Sequence, residues 1–309
     1  MSAWLPTAPC TPGGCVSVAG PRATLPHRVL RLACCLVVLV AGVLAAPLVR
    51  APAWLPAERL VRRWARLLLA TLGVRVRVRS AGAAGRREGG SLLVANHISW
   101  LDVLLVAAVR PGRMLAKTEV GRWPVLGPLI SWGGTVFIDR ERLRALPGTV
   151  EEVAAALRRG ERVVVFPEGS TWCGRGGGRF RPALFEAAVR ADVPVQPVTL
   201  RYLGGDGRAS TAPAFVGEDG LLASLWRVVS VRGLTAEVEF LPELPPALFP
   251  GRRQLAAAAQ RVVDRRRLPE DAAGDPGPAA CTACSVHPGG VAAGPPGGVR
   301  VPFPAEVGR

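Results

Sequence analysis

Ser91-Leu-Leu-Val-Ala-Asn96-His97-Ile-Ser-Trp-Leu-Asp102 is the stretch on which the reading of this chain turns. Ser91–Ala95 is a short apolar run of strand character, and Trp100–Val109 has the pattern of a helix. An imidazole at the strand end and a carboxylate in the first helical turns, five positions on, can converge. A neutral imidazole accepts a proton from an alcohol. A carboxylate on its other nitrogen fixes the tautomer and stabilises the cation that forms. Asn96 and Ser99 could cap the helix. The chain has three histidines: His27 precedes a hydrophobic segment and His287 lies in a Pro/Gly-rich tail. His97 is therefore the candidate base, although a His/Asp pair by itself also suits a structural role.

The 309 residues suffice for one sizeable domain with appendages. Residues 1–80 hold eleven arginines and one acid, Glu58, and so carry +10 of the net charge of +16. Such a region suits an anionic surface, and the apolar run beside it favours lipid over nucleic acid. Lys117, Asn96 and Tyr202 are each the single residue of their type, and isoleucine occurs three times. A bias that exchanges Lys for Arg and Ile for Val makes a retained rare residue suggestive of a chemical need. The seven cysteines show no disulfide spacing, which fits a reducing compartment. Cys10 and Cys15 fall in a loop-like leader. Cys281-x-x-Cys284 with His287 resembles half a metal site but lacks a second ligand pair.

Outward from the opening stretch, residues 1–28 read as an irregular leader rich in Pro, Gly and Ala. Residues 29–50 read as a transmembrane or membrane-embedded helix, with no charge between Arg31 and Arg50. A signal peptide and a buried core helix are the alternatives. More arginines follow this segment than precede it, which predicts a cytoplasmic body. Residues 51–73 contain an amphipathic interfacial helix, Leu60, Trp64, Leu67 or Leu68, and Leu72 recurring at helical spacing with Arg59, Arg62, Arg63 and Arg66 flanking them. A domain helix packed on the core is the rival reading. Residues 74–267 alternate strands with helices, the mark of an α/β sheet covered by helices. Strands are predicted at 74–79, 91–95, 113–117, 135–138, 162–166, 195–202 and 236–241. Helices are predicted at 149–159 and 251–267 besides 100–109. Residues 268–309 have the composition of a disordered tail.

Three further motifs accompany the His/Asp box. Phe166-Pro-Glu168-Gly169-Ser170-Thr follows a buried strand, where Glu168 could orient a polyol or order the loop and Gly169 allows close backbone approach. Phe137-Ile-Asp-Arg140 delivers a guanidinium, the natural partner of a phosphomonoester, at a strand end. Val193-Pro-Val-Gln-Pro-Val198 is an apolar strand broken by prolines.

In this order and spacing the four motifs resemble the N-H-x-x-x-x-D, F-I-x-R, F-P-E-G-[ST] and V-P-[VI]-x-P-V boxes of the glycerolipid acyltransferase superfamily, the lysophosphatidate acyltransferase branch above all. They span Asn96 to Val198, about a third of the chain. The resemblance implies a mixed α/β sheet covered by helices and transfer of an acyl group from acyl-CoA or acyl carrier protein to a lysolipid hydroxyl. His97 would be the base and Asp102 its partner. Arg140, Lys117 and Arg175 would hold the acceptor's phosphate, and Glu168, Gly169 and Ser170 would shape its site. It implies membrane lipids as partners and neither a metal nor a redox cofactor. One departure concerns the acceptor: family members often place a basic stretch and F-K-x-G after the glutamate box, where this chain has a glycine run and Phe180-Arg181-Pro182. Cys173, inside that stretch, lacks a second histidine to activate it and reads as incidental. Acylation of another lysolipid such as lyso-ornithine lipid is the near rival. A hydrolase would need an essential serine, yet no G-x-S-x-G is present. A non-catalytic basic membrane adaptor would tolerate His97→Ala.

Overall fold

The computed structural model describes residues 8–50, 57–80, 89–117, 136–138 and 143–267. One helical turn, α1 (Pro12–Cys15), precedes α2 (Leu25–Arg50) and α3 (Ala57–Thr71). Strands β1 (Arg75–Ser80) and β2 (Ser91–Ala95) lead into α4 (Leu101–Val109). β3 (Arg113–Lys117) and β4 (Val136–Ile138) come before α5 (Leu146–Arg158). Then follow β5 (Arg162–Val165), α6 (Phe185–Ala191), β6 (Val195–Leu203), α7 (Leu221–Ser230), β7 (Thr235–Phe240) and α8 (Arg252–Arg267). The strands expected from the sequence are found, within a residue or two at each end. α6 and α7 were not anticipated. α6 has seven residues, too few to display a helical period.

The sheet has the order β1-β7-β6-β2-β5-β3-β4. All pairs are parallel except β6 with β7, so the sheet is mixed, as the sequence implied. Side chains of successive strand residues point to opposite faces. Leu93 and Ala95 accordingly join the core under α3, α4 and α7. Leu92 and Val94 join the core under α5, α6 and α8. Burial on both faces explains why the central strands are apolar runs rather than alternating ones. Since β2, β5, β3 and β4 run parallel, their carboxyl ends, Ala95, Val165, Lys117 and Ile138, share one edge of the sheet. That edge is where ligands bind in sheets of this kind.

The amino-terminal region departs from expectation. The leader is stitched to the body: Ala23 N–H donates to Ser230 O at 2.8 Å, and Ser17 N–H to Thr211 Oγ1 at 3.0 Å. α2 starts at Leu25, and Arg31 near its start donates to Val229 O and Val231 O. α3 returns antiparallel along it. Trp64 Nε1–H donates to Val38 O at 2.9 Å, and Gly42 is a glycine because the Trp64 indole occupies the space a Cβ would take. Arg66 then ties α3 to Ala108 O at the end of α4. Both ends of this hairpin therefore lie on the same body. The charge asymmetry used to orient a crossing helix presupposes flanks on opposite sides, so that orientation argument does not apply here. The window Leu25–Ala45 is still long and apolar enough to cross a membrane, and none of it is buried inside the protein. The predicted tail lies outside the described residues.

Candidate active site

β2 ends at Ala95, and the chain makes a tight polar turn before α4 begins. Asn96 does not cap that helix. Its amide is clamped on β6 instead, with Nδ2–H donating to Leu200 O at 3.0 Å and Oδ1 accepting from Leu200 N–H at 2.8 Å. This two-way clasp fixes the strand end in front of His97. Asp102, in the first turn of α4, faces back into the turn and is fully buried.

Four donors converge on the Asp102 carboxylate. Oδ2 accepts from His97 Nδ1 at 2.8 Å, Ile98 N–H at 2.6 Å and Ser99 N–H at 2.9 Å. Oδ1 accepts from the Tyr202 hydroxyl at 2.6 Å. A carboxylate offers only acceptors, so His97 presents Nδ1–H to it and its Nε2 carries the lone pair. The imidazole stacks on Phe166, ring centroids 4.1 Å apart at 16°. Its side chain is 21% exposed, against 0% for Asp102. One nitrogen is thus fixed inside the protein while the ring keeps an open side.

Glu168 arrives from the end of β5. It is buried, with Oε2 accepting from His97 N–H at 2.8 Å, and Oε1 from Gly178 N–H at 3.2 Å and Arg267 Nη2 at 2.6 Å. Its side chain has no exposure. Of the two roles open to it in the sequence, loop ordering is the one these bonds describe. Burial raises its carboxyl above the usual range, opposed by the Arg267 charge and by the His97 N–H. Gly169 turns the chain at φ +76°, a conformation that disfavours any side chain. Gly177 and Gly178 pack against the Arg267 guanidinium and the Trp172 indole, leaving no room for a Cβ. This accounts for the last two glycines of the run. Trp172 N–H donates to His97 O at 2.8 Å, closing the loop over the site.

His97, Asp102 and Glu168 are therefore brought together as expected. Ser170 and Arg175 lie partly exposed on the Glu168 loop. Lys117 ends β3 at the same sheet edge, paired in register with Ile138. Arg140, two positions past Ile138, lies outside the described residues. Sequence reasoning missed Tyr202 and Arg267. Tyr202 is the chain's single tyrosine, a signal noted but not followed. Burial, then the Asp102 charge, pushes its phenol well above the ordinary range, so it remains a donor. Arg267 continues the buried stripe Leu255, Ala259 and Val263 at four-residue spacing. An arginine at an inward position of such a stripe implies a buried anionic partner.

A strand-end imidazole backed by a buried carboxylate on a mixed α/β sheet defines the class of protein, and comparison with known proteins agrees. The acyltransferase family model matches residues 75–201. The chain is 40% identical over 158 residues to a 1-acyl-sn-glycerol-3-phosphate acyltransferase of Neisseria gonorrhoeae, covering 51% of this chain and 62% of that protein. It is 36% identical over 210 residues to a lyso-ornithine lipid O-acyltransferase of Pseudomonas aeruginosa, covering 67% of this chain and 77% of that one. The crystal structure of a 1-acyl-sn-glycerophosphate acyltransferase from Thermotoga maritima has the same fold, with a TM-score of 0.61 at 20% identity over 79% of this chain and 94% of that one. The chain belongs to the acyltransferase family, in the superfamily of lysophosphatidate acyltransferases that its four boxes resemble.

Proposed function

We propose that this chain transfers a fatty acyl group from acyl-CoA or acyl carrier protein to the free hydroxyl of a lysophospholipid, with 1-acylglycerol-3-phosphate as acceptor and phosphatidate as product. The observation that carries the proposal is the 2.8 Å hydrogen bond from His97 Nδ1 to a fully buried Asp102. It leaves Nε2 as a base on the open side of the ring. In this reading Nε2 takes the hydroxyl proton as the acceptor oxygen attacks the thioester carbonyl. The C–S bond breaks, and the departing thiolate takes that proton back from the imidazolium. One base serves both directions, so no acyl-enzyme is needed. Asp102 holds the tautomer and stabilises the cation. In the same reading Lys117, Arg140 and Arg175 hold the acceptor phosphate, and Ser170 contributes to the acceptor site.

The α2–α3 hairpin supports membrane association from one face. Both substrate and product are lipids, and the exposed apolar side of α2 suits the acyl region of a bilayer. The arginines of α3 suit phosphate headgroups, on the cytoplasmic face where activated acyl donors are found. A second reading, acylation of lyso-ornithine lipid, is favoured by the 77% coverage of the Pseudomonas aeruginosa relative of that name.

The test is an assay of wild type and His97→Ala with labelled acyl-CoA and acyl carrier protein against 1-acylglycerol-3-phosphate and lyso-ornithine lipid. The substitution is expected to lower transfer by about a hundredfold or more. Equal turnover in the two proteins sinks the role of His97 as base, and no transfer by either leaves the membrane adaptor. Preference for lyso-ornithine lipid establishes the second reading.

A further inference from the structure

Cys10, Cys15 and Cys173 come together in the fold, although two are in the leader and one is in the Glu168 loop. Their sulfurs all lie within 4.8 Å of one another. Each residue is 2% exposed or less. The leader is shaped for this convergence. Thr11 caps the single turn of α1, its side chain accepting from Gly14 N–H, and Cys15 N–H donates to Thr11 O at 3.0 Å. That turn brings Cys10 and Cys15, four residues between them, round to one side. Spacings of two to four residues recur in thiolate metal loops. A Zn–S bond is about 2.3 Å, which sets sulfurs on a common zinc roughly 3.8 Å apart. The sulfur separations are thus within about an ångström of those a common zinc sets.

We propose that Cys10, Cys15 and Cys173 form a three-thiolate site for one thiophilic metal ion, of which Zn²⁺ is the member to test. Binding replaces three thiol protons by one cation, so affinity rises with pH as the thiols give up their protons. Soft sulfur ligands select such ions over magnesium or calcium. A buried thiol can also be a small apolar core residue, and one cysteine would carry no further meaning. Three sulfurs meeting from two distant segments are a different observation. The site has a structural consequence. Cys173 follows Trp172, whose N–H holds His97 O, and Gly174 packs on Ile98. A metal here would pin the leader to the loop that closes the candidate active site. This inference does not depend on which reaction that site performs.

The test uses the full chain purified in detergent without chelator, carrying Cys281→Ser and Cys284→Ser so that the tail motif contributes no thiolate. One equivalent of zinc per chain by elemental analysis is expected, or one equivalent of Co²⁺ after exchange with a thiolate-to-cobalt charge-transfer band. Cys173→Ser and Cys15→Ser should each lose most of the metal. The cobalt spectrum needs no site variant, so a variant that fails to fold leaves the test intact. Sub-stoichiometric metal after zinc loading, a cobalt spectrum without the sulfur band, or full retention by folded Cys173→Ser would each overturn the site.

Discussion

Around Asp102 four donors meet two buried oxygens; along α2, Val29, Leu36, Val37 and Leu44 stand more than half exposed on one protein. Both regions break the usual rule for their residue type. A buried carboxylate is costly unless fully hydrogen-bonded. Exposed apolar surface on this scale marks a partner or a membrane. The first is satisfied from within the chain, by the turn between β2 and α4 and by β6. The second has no such satisfaction within the described residues. Precision in one place and incompleteness in the other fit the proposed transfer to a lipid acceptor: the reacting group must be fixed, while an apolar face for a membrane need only be present.

The sharpest way to break this comparison is Asp102→Asn. An amide offers one acceptor oxygen and an NH₂ group to four donors, so it cannot satisfy the turn. It also no longer holds His97 in the tautomer that leaves Nε2 basic. We expect kcat to fall about a thousandfold, roughly 4 kcal/mol of transition-state stabilisation, with KM much less affected. If kcat stays within tenfold of wild type while the protein remains folded, the carboxylate is a structural anchor and nothing more.

Part of this region is legible in the sequence. The local half was legible. His97 and Asp102 are five positions apart, and a strand followed by a helix brings such neighbours together. Gly169 and Glu168 were legible as a motif, although their spacing could not say whether the glutamate faces a lipid or the backbone. The long-range half was not. Tyr202 is a hundred residues from Asp102, and Arg267 ninety-nine from Glu168. No periodicity connects them; only the register of β6 against β2 and the packing of α8 do. The α2–α3 hairpin was out of reach for a related reason: charge counting treats each apolar segment alone, whereas the return of α3 along α2 rests on tertiary contacts such as Trp64 Nε1–H to Val38 O.

Tyr202 offers a cleaner probe of the buried site, because it is the chain's sole tyrosine and its absorbance reports on nothing else. Its phenol is pushed well above the ordinary value by burial first and by the Asp102 charge second. An unfolded tyrosine ionises near pH 10. Above that pH the unfolded state loses its proton while the native state keeps it, so stability falls as pH rises through and beyond 10. The native protein should therefore show no tyrosinate near pH 10, and the signal should appear only as the fold is lost. Tyr202→Phe should remove this dependence and cost about 1–2 kcal/mol at neutral pH, a hydrogen bond to a charged group lost while three others remain. A tyrosinate signal rising near pH 10 in the folded protein would show that the phenol is not locked on Asp102.

The smallest effect on stability should come from the other region, and its smallness is the point. Val37 and Leu44 lie a heptad apart on the exposed side of α2, at 67% and 68% exposure. Both side chains are mostly exposed, so after changing both to Glu melting in detergent should shift by less than about 0.5 kcal/mol. Placing two carboxylates in hydrocarbon costs about 2.5–3.5 kcal/mol each. Vesicle binding should therefore fall by more than a hundredfold, and turnover should survive on acceptors presented in detergent but drop on acceptors held in bilayers. If the double variant still sediments with vesicles, the hairpin is not what meets the membrane. If instead it melts well below wild type, those side chains are covered by protein, and the contrast between an internally satisfied centre and an externally satisfied edge fails at its second term.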